Sequence, residues 1–183
     1  MAEISSPEEY FTRIIPEQYA AAMTGAPENV VDQPELIAIY EIAGDGGGTY
    51  GLRSSHGRID VLSSEQIASP DIRVAMSVDD WRSFAAGGAT DPFVDYIQRR
   101  KVGVVQGLKG TVRLELTRSD GSEWQSTTIF GSQEEPAVTL RMTSEDYRAM
   151  LSGELNGQMA FMTGKLKFEG SLPLLMQIGA LSS

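Results

Sequence analysis

Cysteine is absent from this chain, and histidine occurs once, at His56. Without thiols there is no disulfide framework, no thiolate nucleophile and no cysteine-ligated zinc or iron–sulfur centre, and one imidazole cannot build a multi-histidine metal site. No metal and no cofactor is expected. Cations are also scarce: 15 Lys and Arg stand against 25 Asp and Glu, and the formal charge of −10 repels phosphate backbones and anionic membrane surfaces. Nucleic-acid binding is therefore not expected. No apolar run approaches the ~20 residues of a membrane span, so stable membrane insertion is not expected either. The N-terminus, MAEISSPEEYF, carries acids where a signal peptide has a basic region and an apolar run, and a cytoplasmic location is the expectation.

What remains is an ordinary globular composition, 41% hydrophobic and 22% charged over 183 residues, enough for a sizeable core. The acidity sits at the front. Residues 1–100 hold 16 acids and 7 bases, whereas 101–183 hold 9 and 8, so the second half is close to neutral.

The first segment predicts a helix with a marked start. Ser6 can cap, Pro7 suits the first helical position, Glu9 stands at capping-box spacing, and Tyr10, Phe11, Ile14 and Ile15 form an apolar face. Pro16 predicts a kink or restart that continues to Met23, with a loop over 24–34. Leu36–Ala43, the turn Gly44–Gly48 and Thr49–Arg53 then read as a hairpin. Gly46, Gly48 and Gly51 match the spacing of a dinucleotide-binding loop, but Leu52–Gly57 shows no helical periodicity, so the glycines belong to the turn.

An internal repeat organises the rest. Pro70–Gly87 aligns without a gap on Pro136–Gly153 at an offset of 66, with Pro70/Pro136, Met76/Met142, Asp80/Asp146, Arg82/Arg148 and Gly87/Gly153 identical. Upstream, Glu41–Gly57 aligns on Glu115–Gly131 at an offset of about 74; the difference is an extra strand and loop around Arg58–Ser69 in the first copy. Downstream, Val104–Gly107 is matched with Lys167–Gly170. Each copy thus reads as hairpin, strand, capped helix, second helical segment and strand. A unit of about 75 residues has a marginal core, so residues 1–107 and 108–183 are expected to pack as one compact unit, with Leu108–Gly110 a short connection.

Little of the candidate chemistry is catalytic. Asp79/Asp80 and Glu145/Asp146 fall where Ser77-x-x-Asp80 and Thr143-x-x-Asp146 form capping boxes, and acids in a first helical turn are favoured by the macrodipole. His56 reads as an exposed loop residue with no orienting acid. Met142, Met150, Met159, Met162 and Met176 cluster in the second half, where thioethers suit either a core or a cavity accepting varied apolar ligands. In Ser171–Ser183, Leu172, Leu175 and Met176 lie on one helical face and Leu174, Ile178 and Leu181 on the other. Such a helix is buried on both sides or closes over something apolar.

The run MTSEDYRAMLSGELNGQMAFMTGKLKFEGSLPLLMQI resembles the C-terminal half of the sterol carrier protein type 2 domain: the capped helix Ser144–Gly153, the helix Leu155–Met162, the Gly164–Lys167 strand entry, Gly170 and the apolar terminal helix agree in order and spacing. Through the repeat, Leu36–Gly87 looks like a second, more divergent copy. The resemblance departs at Gly157, where the family commonly has proline. It implies an α/β (α+β) fold, a mainly antiparallel sheet covered by helices, here internally duplicated. It also implies a tunnel between sheet and helices for a fatty acid, acyl-CoA ester or sterol-like lipid, lined by Met150, Leu151, Gln158, Phe161, Met162, Phe168, Leu172, Leu175 and Met176. Two alternatives stay open. An enzyme or accessory subunit acting on a polyketide, terpenoid or quinone precursor would need polar groups such as Glu154, Glu169 or Asp95 inside the cavity. A ligand-free interaction module would form a homodimer or dock a partner protein.

Overall fold

Burial follows the strand period in β1 (Leu36–Ala43): Leu36, Ala38, Tyr40 and Ile42 enter the core on one face, while Glu41 on the other pairs with Arg73 at 3.2 Å. The computed structural model describes residues 6–181. β2 (Gly48–Ser55) returns antiparallel to β1, and β3 (Arg58–Leu62) antiparallel to β2. β4 (Ile72–Ser77) then lies parallel to β1. The second half repeats the move: β5 (Gly110–Thr117), antiparallel β6 (Glu123–Phe130), β7 (Ala137–Thr143) parallel to β5, and β8 (Lys167–Gly170) antiparallel to β7. All eight form one sheet in the order β3-β2-β1-β4-β6-β5-β7-β8, mainly antiparallel, with β4 against β6 as the seam. Gly110 and Gly170 flank the start of β7. Both have positive φ, and a Cβ there would meet the carbonyl oxygens of Pro136 and Ala137 at 2.1 and 2.3 Å, so only glycine fits.

The N-terminal helical run starts at Ser6, whose hydroxyl accepts the Glu9 N–H, and proceeds through α1 (Pro7–Glu9), a π-helical stretch Tyr10–Ile14 and α2 (Ile15–Met23). The wider turn before Pro16 accommodates the missing donor, so the helix passes the proline without stopping. The segment 24–34 is not all loop, since α3 (Glu28–Val31) forms within it. α4 (Val78–Ala85) follows β4 and α7 (Ser144–Leu151) follows β7; Ser77 accepts the Asp80 N–H and Thr143 the Asp146 N–H, both at 3.1 Å. α5 (Pro92–Gln98), α8 (Gly157–Met162) and α9 (Leu172–Gly179) complete the helical layer with α6 (Val102–Gly107). The strand expected at Val104–Gly107 is therefore a helix. The sheet position beside β4 that such a strand needs is taken by β6.

Two clusters fill the space between helices and sheet. The larger gathers Tyr10, Phe11, Ile15 and Tyr19 with Tyr40, Leu52, Trp81, Phe93 and Val105. The smaller holds Leu116, Trp124, Met142, Ala160 and Leu166, and Met76 and Phe84 touch both. At the seam, β4 and β6 pair only from Ile72–Phe130 to Ala75–Thr127. Beyond that point an open cleft of about 620 Å³ lies between Met76, Ser77 and Asp80 on one side and Gln125 and Ser126 on the other. Arg118 and the Trp124 indole N–H bridge to Asp80 at 3.1 and 2.8 Å.

Candidate functional site

The small cluster sits under a thin cover. Thr143 starts α7, and Met150 near its end is partly buried against that cluster. Asn156 caps α8 by accepting the Met159 N–H at 2.9 Å, which fixes the helix phase so that Ala160 points inward. Leu166 then brings the chain back into the cluster, its N–H donating to the Ala160 carbonyl at 2.9 Å. Lys165 reaches Asp146 at 2.7 Å and ties this turn to α7. Ser171 caps α9, and Leu174 packs beside Gly110.

With that phase set, the apolar side chains on the outer surfaces have nowhere to go but water. Among the described residues, the large exposed hydrophobics are Val61 on β3 and six in one stretch of the second half: Leu151, Met159, Phe161, Met162, Leu172 and Met176. Met162 and Met176 are each 71% exposed. Of the nine residues singled out from sequence, Leu151, Gln158, Phe161, Met162, Leu172 and Met176 open to solvent, and Met150, Phe168 and Leu175 are partly buried. The structure brings Phe161 and Phe168 together, with ring centroids 5.5 Å apart. Met159, outside that set, belongs to the same surface; its place three residues after the Asn156 cap was the available signal. The two faces of α9 separate as the spacing implies: Leu174, Ile178 and Leu181 turn to the core, while Leu172 and Met176 are exposed.

None of the three carboxylates named from the sequence, Glu154, Glu169 and Asp95, lies in an apolar pocket. Glu169 pairs with Arg141 at 3.0 Å, Asp95 with Arg99 at 2.9 Å, and Glu154 is exposed. Among the described residues, no group of three or more His, Asp or Glu is placed to hold a metal ion, and no helix is long and apolar enough to cross a membrane. His56 is exposed in the β2–β3 turn at φ 49°, its Nδ1 2.9 Å from the Ser55 hydroxyl.

A buried polar centre in the first half went unseen in the sequence. Asp91 accepts the Tyr40 and Tyr10 hydroxyls at 2.7 and 2.9 Å and the Phe93 N–H at 3.0 Å, while its own N–H donates to Gln18 Oε1 at 3.0 Å. Burial pushes its carboxyl above the ordinary range, against the opposing pull of those hydrogen bonds. Burial and the neighbouring carboxylate raise both phenols. The Asp91-Pro92 pair, a cap followed by proline at the first helical position, was the legible trace.

The exposed apolar stretch from Leu151 to Met176 falls within the segment that a family model matches. Residues 93–183 match the model of the SCP-2 sterol transfer family. Hydroxysteroid dehydrogenase-like protein 2 of Homo sapiens is 33% identical over 83 residues, covering 41% of this chain and 20% of that protein. Peroxisomal multifunctional enzyme A of Dictyostelium discoideum is 35% identical over 68 residues, covering 37% and 14%. The chain thus spans a fifth or less of the length of these curated relatives. The solution structure of the sterol carrier protein domain 2 of Helicoverpa armigera aligns over 97% of this chain and 90% of its own at 16% identity, with a TM-score of 0.31. The carboxyl-terminal segment, residues 93–183, is the part of this chain that is similar to the SCP-2 sterol transfer family.

Proposed function

We propose that the chain binds an apolar small molecule, a fatty acid, acyl-CoA ester or sterol-like lipid, and that its second half holds the site. The observation that carries this reading is the run of exposed apolar side chains from Leu151 to Met176 inside the family-matched segment. Exposed apolar surface concentrated in one region is costly unless something covers it, and transfer of an acyl chain out of water contributes about 0.8 kcal/mol per methylene. Such a site needs area and adaptable shape more than a reactive group, and methionine supplies that adaptability. The nine residues Met150, Leu151, Gln158, Phe161, Met162, Phe168, Leu172, Leu175 and Met176 are its proposed lining.

The same reading takes the halves as two copies. It is supported by the gapless repeat, by the matched caps at Ser77 and Thr143, and by parallel pairs that end in the same register, Ala43 with Ser77 and Thr117 with Thr143. The first copy has no room for a ligand where Tyr10, Phe11, Ile15 and Tyr19 fill its core, so one site per chain is expected.

A fluorescent 18-carbon polyene fatty acid tests the proposal. The full chain should bind it at micromolar concentration, and Met162→Gln with Leu172→Gln should weaken binding at least tenfold, since both side chains are exposed and the fold tolerates the change. Val61→Gln on β3 should leave affinity unchanged. Absence of binding, or equal binding by the double variant, overturns the proposed site.

A further inference from the structure

α5 and α8 hold matching places: each follows a capped helix, α4 or α7, and each begins at a side-chain cap, Asp91 or Asn156. Counted from the cap, the second, third and sixth residues are Phe93, Val94 and Ile97 in α5, and Gln158, Met159 and Met162 in α8. The first three are buried, at 2% exposure or less; the second three are exposed. One face of the same helix is thus covered in one half and bare in the other.

The cover in the first half is another helix. α2 packs against α5, and the N-terminal run places Tyr10, Phe11, Ile15 and Tyr19 in the cluster that buries Phe93, Val94 and Ile97. It is anchored at the cap itself, where Asp91 receives the Tyr10 hydroxyl and Gln18 receives the Asp91 N–H. Among the described residues the second half has no counterpart: the chain enters β5 from α6, whose Val102 and Val105 are buried in the first half's cluster.

We infer that the bare face of α8 is a docking surface for an amphipathic helix of a partner protein, one that presents an aromatic and aliphatic stripe of the kind this chain lays against α5. The partner's stripe meets Met159 and Met162, side chains that reshape around a helix inserted against them. The Phe161–Phe168 ring pair adds aromatic surface beside them. Asn156 stands where Asp91 stands, so a hydroxyl on the partner finds an uncharged carboxamide oxygen instead of a carboxylate.

The test uses the full chain and a fluorophore-labelled peptide of residues 6–24, whose stripe already fits the α5 face. Fluorescence anisotropy should show saturable binding below 100 μM, weakened at least tenfold by Met159→Gln with Met162→Gln and unchanged by Val61→Gln. No saturable binding overturns the inference, as does binding that the double variant leaves intact, which would place the peptide elsewhere. A dimer in sedimentation that the same substitutions abolish would put a second copy on this face and also overturns it. The fatty-acid titration separates the two readings: lipid binding without peptide binding sinks the helix surface alone, and peptide binding without lipid binding sinks the lipid site alone.

Discussion

The two halves share a local code and differ in what lies over it. Each has the hairpin, the parallel return strand and the Ser- or Thr-capped helix, yet the described residues place 20 buried side chains in the first half's cluster and 5 in the second's. The N-terminal helix supplies four of those 20, Tyr10, Phe11, Ile15 and Tyr19, with Phe11 wedged between Tyr40 and Tyr50 at 4.7 Å from each ring. The lesson is that a packed interior and an open apolar surface can arise from one motif, according to whether a further helix is supplied. Phe11→Ala should therefore cost about 3–5 kcal/mol in urea unfolding, as truncation of a fully buried aromatic does. Phe161→Ala, at a side chain 52% exposed, should cost less than about 1 kcal/mol. Equal losses would break the comparison, because they would mean that the second half is as tightly packed as the first.

Asp91 sharpens it next. Asp91→Ala leaves the Tyr10 and Tyr40 hydroxyls buried without their acceptor, which should cost about 3 kcal/mol. The pH dependence has a defined sign. Because burial holds the folded carboxyl above its ordinary value of 3.8, the folded chain keeps this proton to higher pH than the unfolded chain does. The group's contribution is then greatest at low pH and declines as pH rises from about 4 through the folded pKa. Asp91→Asn removes the titration, so the stability of the native chain relative to this variant should fall across that window. A difference that stays constant with pH would show that the carboxyl titrates alike in both states.

The hairpin, the two caps and the extra strand after Gly57 were legible because each rests on neighbours in sequence: alternation over Leu36–Ala43, and a hydroxyl three residues before an acid. What was not legible depends on distant partners. Val104–Gly107 becomes a helix because β6, arriving later in the chain, occupies the sheet position beside β4. Asp91 is buried because Tyr10 and Tyr40 come to it from 81 and 51 residues away. At the candidate site, the methionine cluster and the helical spacing of Leu172, Leu175 and Met176 were plain, but the same pattern serves a helix pressed on a core and one left facing water. What packs over each helix decides between them, and that is set by contacts distant in sequence.

The smallest effect concerns the caps themselves. Asp80 and Asp146 occupy equivalent places, but Arg118 binds the first across the seam between the halves, and Lys165 binds the second from within its own half. The Lys165 ammonium, with the Thr143 hydroxyl, holds the Asp146 carboxyl below its ordinary range. The stability it brings is present at neutral pH and is lost as pH falls through the folded pKa. Lys165→Met should move the Asp146 carboxyl titration upward, towards the ordinary value, as read by NMR of the side-chain carboxyl. Hydrogen exchange of the Trp124 indole, which donates to the Asp80 carbonyl at 2.8 Å, should stay as it was. Arg118→Met should do the reverse, speeding exchange at Trp124 and leaving Asp146 alone. If either substitution moved both signals, the seam would transmit what happens at one cap to the other, and the open half could not be treated as energetically separate from the packed one.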